Sequence, residues 1–180
     1  MAFLNYKMTQ KYTSEPMKDT IRRLKDYDVY HCLLGGNQER SRAVRMRISD
    51  LPEGFYQWLE VCDGGKLFDI TMLTTVSYDP DLDLHFTTYD QFPSDLERMD
   101  MNLHDDFFVF GFTVLTDLFY FDRSKKDGRV YQWCSDDKKV YASWDSFEDW
   151  LAYQVDDAVL LIADGTLEPM DIKLEAYGNG

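Results

Sequence analysis

From Leu51 to Gly65 the chain reads LPEGFYQWLEVCDGG, and its apolar positions Phe55, Trp58, Leu59 and Cys62 recur at i, i+3, i+4 and i+7. That spacing is one stripe of a 3.6-residue period and predicts an anchor helix buried along one side. Asp50 stands where an N-cap belongs, with Glu53 three residues on as its capping-box partner. Pro52 suits the first turn, and Gly64 and Gly65 permit a left-handed stop. A second helix is expected from Ser14 to Tyr30, with Pro16 near its start and Ile21, Leu24 and Tyr27 at three-residue intervals. Gly35 and Gly36 break the chain after it. Arg40, Arg42, Arg45 and Arg47 then interleave with Val44, Met46 and Ile48. This pattern reads either as a strand with one charged face or as the lead-in to the anchor helix.

Beyond Gly65 the β-branched run KLFDITMLTTVSY predicts a strand or a strand pair. Tyr78 to Asp100 is polar and acidic, broken by Pro80 and Pro93, and reads as a loop followed by a short helix over Ser94 to Met101. After it come the aromatic runs Phe107–Phe112 and Leu118–Phe121, then Arg129–Trp133 and Val140–Ser143, joined by the polar turns DRSKKDG and SDDKK. Short strands separated by tight polar turns predict an antiparallel meander, and Gly111 inside one of them predicts a bulge. A closing helix is expected from Ser146 to Ala163, its face marked by Phe147, Trp150, Leu151, Gln154, Val155 and Ala158 and continued by Leu161 and Ile162. Asp145 and Glu148 stand as its cap and Gly165 as its stop. The expected fold is α+β, a central antiparallel β-sheet with flanking helices in a single domain over residues 1–180. Within it, residues 1–35 form an N-terminal arm plus a helix, and the terminal Gly-Asn-Gly frays.

Length changes this picture little, since 180 residues suffice for one ordinary core. Charge changes it more. Residues 1–50 hold 10 Lys/Arg against 6 Asp/Glu, and residues 51–180 hold 9 against 27, for a net of −14. An acidic body disfavours direct nucleic-acid binding, which depends on Lys and Arg facing phosphate, and suits a basic protein partner. No apolar run approaches the ~18 residues of a membrane span, and no secretory leader is evident. Three cysteines, odd in number and without CxxC spacing, fit a reducing, cytoplasmic location.

Candidate chemistry is sparse. His104, Asp105 and Asp106, with His85, are the one grouping that could hold a metal, and a hydrolase using His85, His104 and Asp106 is the corresponding enzymatic reading. HExxH spacing is missing, and Asp79, Asp81 and Asp83 lack the glycine and terminal glutamate of a calcium loop. His31 and Cys32 are sequence neighbours, a poor geometry for a base and its nucleophile. The four arginines could hold phosphate or serve as a solvated basic face that pairs with the acidic body. No cofactor is expected. Trp58 and Trp150 belong on core stripes, while Trp133 and Trp144 are open to an interface role.

The order of these signals resembles the SUKH superfamily, the Smi/Knr-type cell-wall regulators and bacterial immunity proteins. The resemblance rests on Leu51, Pro52, Phe55, Leu59, Gly64 and Gly65, then Phe119, Tyr120, Phe121 and Asp122 followed by Gly128, Val130 and Tyr131, and last Ser146, Phe147, Trp150 and Leu151. It spans about residues 50 to 151. The resemblance implies a non-enzymatic domain that acts by binding protein, most often an immunity protein neutralising a cognate toxin such as a nuclease, and otherwise a regulatory scaffold. Acidic groups expected to steer such a partner are Asp136, Asp137, Glu148, Asp149, Asp156 and Asp157.

Overall fold

The computed structural model describes residues 14–79 and 84–170. Helix α1 (Glu15–Leu24) begins where Ser14 Oγ accepts from the Met17 N–H, and it buries Met17, Thr20, Ile21 and Leu24. The helical pattern continues only as a 3₁₀ segment (Lys25–Tyr30), because Tyr27 leaves helical geometry at φ −123°. Strand β1 (His31–Gly35) follows, unannounced by the sequence pattern since its first four residues are all buried and show no alternation. The arginine-rich stretch is neither a strand nor a lead-in. It is a separate helix, α2 (Gln38–Arg47), started by the Asn37 side chain accepting from Arg40 N at 2.9 Å. A good cap and strong helix formers override the apparent alternation, and Met46, one of the alternating apolar positions, is 82% exposed.

The anchor helix is α3 (Glu53–Val61), and its predicted stripe of Phe55, Trp58, Leu59 and Cys62 is fully buried. Its ends differ from expectation. Pro52 holds the N-cap position without a side-chain cap, while Asp50 faces Arg123 (3.8 Å) and Glu53 takes both terminal nitrogens of Arg45 at 2.9 and 2.8 Å. The double glycine is not a C-cap, because the chain passes directly into β2 (Cys62–Leu67). Gly64 (φ +93°) and Gly65 (φ +113°) instead let flanking backbone close in. A Cβ on Gly64 would sit 2.2 Å from the Leu73 carbonyl oxygen, and one on Gly65 2.3 Å from that of Cys32.

The chain continues through β3 (Ile70–Met72), the small pair β4 (Tyr78–Asp79) and β5 (Leu84–His85), and α4 (Asp95–Asp100). Helix α4 falls where expected and carries a complete capping box between Ser94 and Glu97. Strands β6 (Phe107–Thr113), β7 (Leu118–Asp122), β8 (Val130–Cys134) and β9 (Lys139–Trp144) form the predicted meander. Helix α5 (Phe147–Ala163) closes it, capped by Ser146 and the Asp149 N–H rather than by Asp145 and Glu148. The seven-stranded sheet runs β1-β2-β3-β6-β7-β8-β9, antiparallel throughout, with β1 and β9 at its edges. The expected bulge appears as a register shift between Val109 and Gly111. The architecture is thus α+β, a central antiparallel sheet with flanking helices.

Alternation along β7 divides the interior. Phe119 and Phe121 join the main core with the helices, while Leu118 and Tyr120 join a smaller cluster with Leu73, Leu103, Val109 and Tyr131. Phe55 sits among Phe108, Phe110, Phe121 and Phe147 at ring-centre distances of 5.2 to 5.8 Å. Trp58 and Trp150 are both buried, as their stripes require.

One buried titratable group gives the fold a pH dependence. His31 Nε2 lies 3.0 Å from the Leu24 carbonyl oxygen, and its Nδ1 has no partner among the described residues. Burial pushes its pKa below the usual 6.5, against smaller raising effects of that carbonyl and Asp28. The unfolded chain therefore takes up a proton where the folded one does not. The stability from neutral His31 is complete above pH 6.5 and is lost as pH falls through 6.5 towards the lowered folded value. Urea midpoints measured above and below pH 6.5 are expected to fall on acidification in the native chain. In His31→Gln, which has nothing to titrate, this part of the fall disappears.

Candidate functional site

The exposed edge of the sheet is β9, and it lies beside α5. Along this edge Tyr141 is 72% exposed, with Val140 and Tyr153 also open to solvent. Trp144 is half-buried, its ring 5.4 Å from Tyr153 and 6.1 Å from Phe119. Of the predicted acidic positions, Asp136 and Asp137 occupy the β8–β9 turn, and Glu148, Asp149, Asp156 and Asp157 all fall on α5. The six residues of β9 separate the turn from the start of α5 by about 20 Å. Asp136 and Asp137 therefore stand at one end of an apolar edge and Glu148 and Asp149 at the other. Asp156, paired with Arg23 of α1, and Asp157, close enough to Asp69 of the β2–β3 turn to add to burial in raising its pKa, lie further along α5.

They are not equivalent. Asp149 Oδ2 accepts from the Ser146 hydroxyl at 2.8 Å and so helps to start α5. Glu148 is half-buried against Gly54 of α3 and accepts from Ser14 Oγ at 3.4 Å. Asp156 pairs with Arg23 of α1, and Asp137 with Lys139 at 2.8 Å. Asp136 and Asp157 are exposed. The β8–β9 turn also meets the β6–β7 turn, where Ser135 Oγ donates to the Leu115 carbonyl at 3.2 Å and Ser135 N donates to Asp117 Oδ1 at 3.2 Å. This contact brings Val114 and Leu115, 70% and 78% exposed, into the same region as Asp136 and Asp137. The apolar pair was not foreseen. Its residues, followed by Thr116 at φ +64°, look in the sequence like an ordinary strand continuation.

The residues that carried the family resemblance have structural work in this geometry. Asp122 ends β7 by accepting from Ser124 N (3.1 Å) and Ser124 Oγ (2.6 Å) and by pairing with Lys125 (3.3 Å). Burial raises its pKa, but these partners together hold it below the usual 3.8. Gly128 turns the chain at φ +72°, and the Tyr131 hydroxyl donates to Asp127 at 2.6 Å while Lys125 lies over its ring. The sequence model of the SMI1 / KNR4 family (SUKH-1) matches residues 47–153.

The chain belongs to the SMI1 / KNR4 family. As a SUKH-1 member it carries an immunity- or regulator-type domain, of a kind that is generally non-catalytic and acts through protein–protein interaction. Comparison with curated proteins and with solved structures gives no match. The SUKH-1 span runs from the end of α2 into α5 and includes the whole β9 edge. Helix α1, β1 and nearly all of α2 precede it.

Elsewhere in this SUKH-1 chain the groups weighed for catalysis are dispersed. His104 Nδ1 accepts from Asp106 N and lies 3.3 Å from Asp106 Oδ2, while the His85 ring lies tilted against Tyr78, 4.8 Å between centres, across the β4–β5 pair. Among the described residues no three His, Cys, Asp or Glu side chains are grouped to hold a metal. Asp81 and Asp83 lie outside the described residues, as does the N-terminal arm to Thr13. Cys32 and Cys62 are buried thiols. Burial drives the Cys62 pKa well up, the opposite of what a nucleophile needs. No helix among the described residues is long and apolar enough to cross a membrane.

Most of the arginine cluster is committed to acidic partners. Arg40 Nη1 reaches Asp63 Oδ2 at 3.1 Å, Arg45 takes Glu53 and stacks over Tyr56, and Arg47 meets Asp90 at 2.9 Å. Asp63 is fully buried and accepts in addition from Thr75 N (3.0 Å) and Thr75 Oγ1 (2.6 Å). Nothing in the sequence marks Asp63, a lone aspartate before a Gly-Gly, as a buried hub.

Proposed function

We propose that this SUKH-1 domain is a cytoplasmic immunity-type inhibitor that covers the functional surface of a basic protein toxin, such as a nuclease. The observation that carries the reading is the β9 edge, which offers Val140, Tyr141, Trp144 and Tyr153 between two sets of acidic side chains. Aromatic anchors inside a polar rim are the anatomy of a protein-binding patch. Acidic ends give a basic partner its approach and register. Asp136, Asp137 and Asp157 serve as steering charges, because they lie exposed. Asp149 and Glu148 contribute mainly through the start of α5, and Asp156 through its tie to α1.

Reversing Asp136, Asp137 and Asp157 to lysine together is expected to slow association with the partner by roughly tenfold or more at low salt. Folding stability should stay within about 0.5 kcal/mol per site, since all three are exposed. Tyr141→Ala is expected to speed dissociation, costing about 2 kcal/mol of affinity. Surface-plasmon kinetics across a salt series checks both. A partner whose association ignores salt and charge reversal removes the steering role. A salt-sensitive partner that is harmless to cells would support a regulatory scaffold instead.

A further inference from the structure

A cleft of about 230 Å³ lies away from the β9 edge, between the end of α2, the loop after β3, α4 and the start of β6. In a chain of net charge −14, three arginines line it, Arg47, Arg98 and Arg123, against two carboxylates, Asp90 and Asp105. Its apolar part includes Tyr89 stacked on Phe108, with ring centres 5.3 Å apart. The guanidinium groups differ in how far they are satisfied. Arg47 has Asp90 at 2.9 Å, in a pair where both side chains are about two-thirds exposed. Arg123 donates to the backbone carbonyls of Asp105 (3.2 Å) and Asp106 (3.4 Å), with Asp50 at 3.8 Å. Arg98 donates to the Phe107 carbonyl at 3.3 Å through Nη2. Its Nη1, closed off from solvent, has no hydrogen-bond partner among the described residues. Nor does any carboxylate there come within 4.0 Å of the Arg98 guanidinium, the distance at which the other ion pairs are formed.

A buried charged donor without an acceptor is costly to a fold and rare in native proteins. Guanidinium forks also match the geometry of phosphate and carboxylate. We propose that this cleft binds the phosphate or carboxylate group of a small ligand. Arg98 turns its unsatisfied nitrogen onto the oxyanion, Arg123 supplies a second positive wall already fixed by backbone carbonyls, and Arg47 exchanges its exposed aspartate for the ligand. The Tyr89–Phe108 pair packs against whatever apolar portion the ligand carries. The site is independent of the protein-docking edge, so either assignment can fail alone.

The test is thermal unfolding and calorimetric titration of the full chain with inorganic phosphate and, separately, acetate and citrate, each against chloride at matched ionic strength. The expected result is a saturable rise in the unfolding midpoint with phosphate or with a carboxylate, half-complete at or below about 1 mM. Which of the two families acts identifies the group. Arg98→Gln is expected to weaken binding at least tenfold. Arg47→Gln, at an exposed position that leaves folding intact, is expected to weaken it several-fold, so the proposal does not depend on the stability of the Arg98 variant. No saturable effect beyond chloride up to about 10 mM would overturn the assignment. So would saturable binding that both variants leave unchanged, since that would place the anion elsewhere.

Discussion

Replacing Trp150 by alanine is expected to lower the unfolding free energy by roughly 3–5 kcal/mol, a large part of what a domain of this size possesses. The indole is fully buried, and its ring centre lies 5.0 Å from Phe110, 5.3 Å from Phe119 and 5.3 Å from Phe147. It joins α5 to β6 and β7, so its loss opens a cavity that three fixed aromatic neighbours cannot fill. Trp150→Phe separates packing from polarity. The indole Nε1–H has no hydrogen-bond partner among the described residues, so the phenyl ring gives up some contact but also removes a buried donor that costs about 1–3 kcal/mol. The Phe variant is therefore expected within about 1.5 kcal/mol of the native chain. Guanidinium unfolding of both variants measures the difference. Equal losses would show that the indole's shape, and not simply its bulk, holds this part of the core.

Asp63→Ala is expected to cost a similar amount, about 3–5 kcal/mol, by a different mechanism. Its carboxylate ties α2 to β2 and to the loop at Thr75 through three hydrogen bonds. Removing it leaves Arg40, among the described residues, with only the Gly35 carbonyl at 3.3 Å and strands a part-buried backbone N–H at Thr75. Asp63→Asn retains an acceptor for that N–H and should lose less. Burial raises the Asp63 pKa above 3.8, although Thr75 and Arg40 both act to lower it. The folded chain therefore holds its proton longer than the unfolded one. The contribution of Asp63 is full below pH 3.8 and declines as pH rises through the raised folded value. This runs opposite to His31 and Asp122, whose lowered folded values make acid destabilising. Comparing native chain and Asp63→Asn across the acid range isolates this contribution.

Elements with a strong period were legible from the chain. The stripes of α3 and α5, the meander from Phe107 to Trp144, the Gly111 bulge and the short helix after Pro93 all follow from local pattern and are present. The misreadings share a cause, which is that tertiary partners decide what a short polar residue does. Asp50 and Asp145 look like caps, but Arg123 and Arg129 take them as ion-pair partners. Gly64 and Gly65 look like a helix stop, yet close approach by Leu73 and Cys32 is what requires them. Strand β1 was hidden because burial on both sides erases alternation. The proposed docking edge was half legible. Its acidic positions stand out in the sequence, but the pairing that leaves β9 at the sheet edge, and the turn contact that sets Leu115 near Asp136, do not. The arginine cleft was not legible at all, since its three arginines come from α2, α4 and the β7–β8 turn.

The most direct test of the central claim is affinity capture of the tagged chain from lysate of its own source, run beside the Asp136/Asp137/Asp157 charge-reversed variant and eluted with increasing salt. The partner is then expressed alone and together with the chain. The account predicts one basic polypeptide, held near equal stoichiometry by the native chain and poorly by the variant. It should be toxic when expressed by itself and harmless in company. A partner retained equally by both proteins, or one whose toxicity the chain leaves untouched, would contradict it.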